Sequence, residues 1–137
     1  MPLPVSYGTV ENIARNQPEI SSVSTITSAT LAYFLGKADA LINTKIVNRY
    51  SLPLSSTPPI LETISSDLAT YFVIVQRLFT AKRAADSPWP DRYKEALDTL
   101  NEIASGEMPL IDSAGAIIAG RTDVVEVWST TQDYTPT

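Results

Sequence analysis

Prolines constrain this chain more than any other residue type. Breaks at Asn16-Gln17-Pro18, at Leu52-Pro53-Leu54, at Ser87-Pro88-Trp89-Pro90 and at Met108-Pro109 divide it into segments. Proline cannot donate to a helical ladder, and it disfavours helical geometry in the residue before it. Between the breaks, apolar residues recur every three or four positions, the period of a helix with one buried face. Four helices are therefore expected, followed by a tail of different character.

The first helix is short, with Thr9 as its cap and Val10, Ile13 and Ala14 on its apolar edge. From Ile20 to Thr27, Ser and Thr alternate with Val and Ile, which reads as a linker in preference to a short strand. The second helix begins near Ser28 and ends at Asn48 or Arg49, with Leu31, Leu35, Ala38, Ile42 and Ile46 on one face. Gly36 interrupts it at a cost of about 1 kcal/mol relative to Ala. Thr57 followed by Pro58-Pro59 marks the next start: a capping hydroxyl, then prolines in the first turn, where no donor is missed. That third helix should run to about Ala84 on Ile60, Leu61, Ile64, Leu68, Tyr71, Phe72, Val75, Leu78 and Phe79. Val73 and Ile74 widen its stripe nearly all round, so it should be central or covered by another subunit. The fourth helix, from Pro90 or Asp91 to Ser105, carries Tyr93, Leu97, Leu100 and Ile103 and ends at Gly106, where a cap glycine belongs.

Beyond Met108-Pro109 the pattern changes. Ala116 to Ala119 and Val124 to Trp128 are β-prone, and the residues between them are able to turn. An isolated hairpin is marginal in water, so it needs a body or another chain to lie on. The expected fold class is mainly α: a small four-helix body over residues 1–111, with a β-prone, extended or hairpin-like C-terminal arm over residues 112–137.

Composition narrows the chemistry. The 137 residues suit one domain and one core. The chain has no cysteine and no histidine, which excludes disulfides, thiolate chemistry, the usual zinc sites and histidine-based acid–base catalysis. Phosphate-cradling glycine loops and nucleophile signatures are absent from the sequence. No enzyme activity, cofactor or metal is expected. Net charge is −5 and the pI near 4.6, against a general affinity for nucleic-acid backbones. Residues from Glu107 onward hold five acids and one base, so the tail carries most of that charge. Met1-Pro2-Leu3-Pro4-Val5 does not read as a signal peptide, and the densest apolar run, Phe72 to Val75, is far too short to span a bilayer. A soluble intracellular protein without a membrane partner is expected.

Several side chains admit two readings. Glu95, Asp98 and Glu102 share a helical stripe, with Asp91 a turn earlier. They form either a solvated face, partly balanced by Lys94, or an acidic face that lines a channel or holds a cation. Arg77, Lys82, Arg83, Arg92 and Lys94 gather around the turn before the last helix. They are plain surface charges or, above all at Arg77 and Arg83, contacts to acidic partner surfaces. Arg49 suits the end of its own helix and Tyr50 suits packing on the body, and Trp89 suits a cap over the core edge. Trp128 and Tyr134, with Val125 and Val127 beside Trp128, are candidate partner anchors, because a tail has little core of its own to hide them.

One ordered run of motifs identifies a family resemblance. Ala38-Asp39-Ala40-Leu41-Ile42-Asn43 leads into Asn48-Arg49-Tyr50-Ser51-Leu52-Pro53-Leu54. Then come Thr57-Pro58-Pro59-Ile60-Leu61, Ser66-Asp67-Leu68-Ala69-Thr70-Tyr71 and Arg92-Tyr93-Lys94-Glu95-Ala96-Leu97. Ile103-Ala104-Ser105-Gly106 and Pro109-Leu110-Ile111 close the run. The middle of the chain, roughly residues 7–111, resembles the Mu-type bacteriophage head–tail adaptors. The resemblance implies a subunit of a ring, twelve copies by the symmetry of the portal, carried in the neck of the virion and assembled in the host cytoplasm. Its partners would be the portal protein, copies of itself and the next neck or tail protein. Genomic DNA would pass through without sequence-specific binding, and an arm would reach the portal or an adjacent subunit. The rival readings are a stopper or tail-completion protein and, from another class, a small regulatory or nucleic-acid-binding helical domain. The acidic charge and the lack of a basic recognition helix count against that last one.

Overall fold

Helix starts and stops follow local chemistry closely. In the computed structural model, which describes residues 6–54 and 56–120, the elements are α1 (Val10–Asn16), α2 (Ser28–Ile46), α3 (Pro59–Val73), α4 (Ala81–Asp86) and α5 (Trp89–Ser105). The Thr9 hydroxyl accepts from the Asn12 amide and the Thr27 hydroxyl from the Thr30 amide, each satisfying a donor the helix leaves open. α5 ends on Gly106 at φ 90°, a left-handed geometry that glycine adopts without the clash a Cβ brings. Among the described residues the fold is mainly helical, and the only β pairing is the isolated bridge between Ile111 and Ile117.

Three helices make the core. α3 lies against α1, α2 and α5, and α2 also touches α5. Leu61, Ile64, Leu68, Ala69 and Val73 of α3 meet Phe34, Ala38, Ile42 and Ile46 of α2 and Ala96, Leu100 and Ile103 of α5, all buried. The broad apolar stripe of α3 therefore has an explanation inside the subunit: the helix is sandwiched.

The structure corrects the four-helix expectation. The third helix does not continue to Ala84; it widens into a π turn at Ile74–Leu78, breaks, and restarts as α4. The Phe79 amide reaches the Ile74 carbonyl at 2.8 Å, and Phe79 itself is extended. Val73-Ile74-Val75 is a β-branched run, whose side chains crowd the preceding turn of an α-helix. The wider turn relieves that crowding and rotates the residues after it. Val75, expected on the buried stripe, is 44% exposed in consequence. The Thr80 hydroxyl then accepts from the Arg83 amide and starts α4.

Other expectations shift in smaller ways. The segment after α1 opens with a 3₁₀ turn, Pro18–Ser22, and buries both Ile20 and Ile26. Pro58, not Thr57, occupies the cap position of α3, with no side-chain bond to it. α2 stops at Ile46, and α5 starts at Trp89. The residues around Ile117 pair back onto Ile111: the Asp112 amide reaches the Ala116 carbonyl and the Ile118 amide the Leu110 carbonyl. The Asp112 carboxylate holds the turn by accepting from the Ala114 and Ala116 amides, both at 2.9 Å. Val124 to Trp128, the expected partner strand, lies outside the described residues.

Candidate functional site

Two polar clasps and two surface regions emerge from this packing. In the first clasp, Asp39 points inward from α2 and collects the start of the described chain. Its carboxylate accepts from the Ser6 hydroxyl at 2.6 Å, the Ser65 hydroxyl at 2.8 Å and the Tyr7 amide at 3.3 Å. The Tyr7 hydroxyl donates to Asn43, and burial, then the Asp39 charge, pushes that hydroxyl above its usual pKa. Gly8 lies so close beneath that a Cβ would stand 2.7 Å from Ser66 Oγ and 3.1 Å from Leu35. Among the described residues, Ser66 Oγ is buried without a hydrogen-bond partner.

The second clasp joins α1, α3 and α5. Asp67 accepts from the Asn16 amide at 3.3 Å and from Arg92 at 3.2 Å. Burial raises the Asp67 carboxyl above the usual carboxylate range, against the lowering pull of the Arg92 guanidinium. Arg92 also stacks 4.1 Å over the Trp89 ring, whose indole N–H donates to Gln17. A shallow polar cleft of about 220 Å³ opens between Asn12, Arg15, Glu62 and Asp67. Side-chain amides bridge its charged groups: Asn12 donates to Glu62 and accepts from Arg15, and Asn16 donates to Asp67, which is how elements are tied together rather than how a substrate is held. Among the described residues no group of three or more acids could share a metal ion.

Of the candidate site residues, the basic ones are only partly brought together. Arg83 pairs with Glu19 at 2.6 Å and lies over the Phe79 ring, and that pairing lowers the Glu19 pKa. Arg92 turns to Asp67, while Arg77 and Lys82 stay exposed. Trp89 is more than a cap: it is 2% exposed and forms, with Ile74 and Ala84, a second small apolar cluster under the π turn. Glu95, Asp98 and Glu102 are exposed in a line along α5, opposite buried Leu100. Lys94 makes no ion pair with Asp98; among the described residues the ion pairs are Arg83–Glu19 and Arg92–Asp67. Trp128, Tyr134, Val125 and Val127 lie outside the described residues.

The root of the tail is defined. Leu110 is fully buried, and Ile118, assigned by sequence to the arm, packs partly buried on the main core. Gly120 runs close over the Arg49 backbone; a Cβ there would stand 3.0 Å from the Arg49 carbonyl oxygen. The Arg49 guanidinium in turn covers Gly106 at the end of α5, where its charge suits the helix C-terminus. Tyr50 beside it is buried. Sequence pattern pointed to neither clasp. The available signals were Asp39 next to the buried positions Ala38 and Ile42, and Asp67 beside the buried Leu68.

No described helix is long and apolar enough to cross a membrane. No curated protein matches the chain. A family model described as Bacteriophage Mu, Gp36 matches residues 7–126. The match takes in all five helices and the turn behind them, and so the chain belongs to the bacteriophage Mu Gp36 family and is a Mu-type phage protein.

Proposed function

We propose that this phage structural protein is a head–tail adaptor: a non-catalytic subunit, one of a ring of twelve, that sits on the portal in the virion neck. In that role it extends the DNA channel and docks the next neck or tail protein. The observation that carries the reading is the fixed root of the tail. Leu110 and Ile118 are anchored in the core and Gly120 lies on Arg49, so residues 121–137 start from one set point on a rigid body. Val125, Val127, Trp128 and Tyr134 then serve as anchors on the portal or an adjacent copy, aromatic side chains being the usual carriers of binding energy at an interface. The exposed acids of α5 suit a surface that DNA passes without adhering.

The test is electron microscopy of DNA-filled, tailless heads mixed with the purified protein. Added ring density at the portal vertex supports the adaptor reading. A vertex left bare at saturating protein, with the chain found on tails instead, overturns it in favour of a tail-completion role.

A further inference from the structure

The solvent faces of the two longest helices, α2 and α5, differ in kind. The outer face of α5 carries Asp91, Lys94, Glu95, Asp98 and Glu102, the dress of a surface helix in water. The outer face of α2 carries Ala29, Ala32, Tyr33, Gly36, Lys37, Ala40 and Thr44, all exposed. Lys37 is the one charge on it, and its ammonium lies 5.1 Å over the Tyr33 ring. Tyr33 is 59% exposed. Gly36 has nothing within 4 Å of where a Cβ would stand, so no contact among the described residues accounts for a glycine in mid-helix.

A second apolar patch lies on the turn at residues 110–118. Ile111 and Ile117 face each other across the bridge, so their side chains share a side. That side points out: Ile111 is 42% exposed and Ile117 70%, with Ala114 and Ala116 exposed beside them. The flanking charges of the two patches are opposite. α2 exposes Lys37 and Lys45, its acid Asp39 being turned into the clasp. Residues 107–120 carry Glu107 and Asp112 and no base.

One patch repeated on two copies makes a closed pair, whereas two unlike patches on one chain make a head-to-tail contact that propagates, into a ring where its rotation closes and into a filament where it does not. We propose that the 110–118 turn of one copy docks on the outer face of α2 of the next copy. Ile111 and Ile117 cover Tyr33 and the open backbone at Gly36, and Lys37 meets Glu107 or Asp112. This inference rests on the ring reading above and names the lateral contact within it. The acids of α5 are then left free of the contact.

The chain has no cysteine, so cross-linking reports directly. Full-length Tyr33→Cys/Ile117→Cys is treated with a short bis-maleimide linker, free in solution and on heads whose vertex ring is scored by microscopy; each single variant is run beside it. Both positions are exposed, so folding should be intact, and circular dichroism checks it. The expected result is a covalent ladder rising one subunit at a time in the double variant, with each single variant staying monomeric. A vertex ring without a ladder overturns the inference and leaves the adaptor reading standing. So does a monomer with both cysteines consumed, or dimers from Tyr33→Cys alone, which would mean a symmetric contact. A ladder in solution with a bare vertex supports the contact and overturns the portal station. Neither ring nor ladder overturns both.

Discussion

Glycines and buried acids carry the sharpest single-residue consequences. Gly8 has Ser65, Ser66 and Leu35 where a side chain would go, so Gly8→Ala should cost about 1–3 kcal/mol through overpacking, read as a lower denaturation midpoint at unchanged m. Gly106→Ala should cost about 1–2 kcal/mol for the left-handed backbone alone, and it also displaces the Arg49 guanidinium. Asp67 titrates against the usual trend. Burial raises its folded pKa above the ordinary 3.8 of the unfolded chain, so the native state holds that proton more tightly, and its contribution to stability falls as pH rises through the folded pKa. Glu19, lowered by Arg83, works in the opposite sense and loses its contribution as pH falls below 4.5. Stability measured against pH should therefore fall less across the window just above pH 3.8 in Asp67→Asn than in the wild type. An unchanged slope would mean that the Arg92 and Asn16 contacts offset the burial of the carboxyl in full.

At the scale of elements, the corner after α3 is a separate packing problem. The π turn, α4 and the start of α5 close over Ile74, Ala84 and Trp89, a cluster apart from the main core. Trp89→Ala should cost about 3–5 kcal/mol as a large buried side chain. Limited proteolysis should then cut first between Phe79 and Ser87, because α4 packs chiefly on the π turn and α5 and is otherwise tied only by the exposed Arg83–Glu19 pair. Cleavage starting elsewhere would show that this corner is held by more than its own cluster. The sequence made the existence of α1, α2, α3 and α5 legible, since their apolar residues keep a helical period and their ends carry Thr9, Pro18, Pro59 and Gly106. It did not disclose the break at Ile74. Periodicity counts apolar positions, and Val73-Ile74-Val75 fits an amphipathic stripe and a crowded turn equally well.

The whole molecule is a three-helix core with a tail root built into it. Removing residues 121–137 should leave the helical circular dichroism signal intact, because every described helix and both clasps lie before them, while attachment to heads is lost. Removing residues after Asp112 should in addition lower Tm by a few degrees, since Ile118 then leaves the core and the Leu110 carbonyl loses its partner. Equal melting temperatures for the two truncations would place Ile118 outside the core.

By itself the sequence determined the helical class, the position of most breaks, the acidic tail and the family. These are local matters: period, caps, proline geometry and ordered motifs are all read within a few residues of one another. Tertiary structure alone decided that the apolar third helix is sandwiched inside one subunit, that Asp39 and Asp67 are turned inward as clasps, and that Ile117 folds back on Ile111. It also decided which exposed faces are poor in charge. The clasps tie α3 to partners 25 to 54 positions away in the chain, and the charge-poor faces depend on which side of a helix is left uncovered. No local pattern encodes that, because the same side chain costs or stabilises according to what stands opposite it.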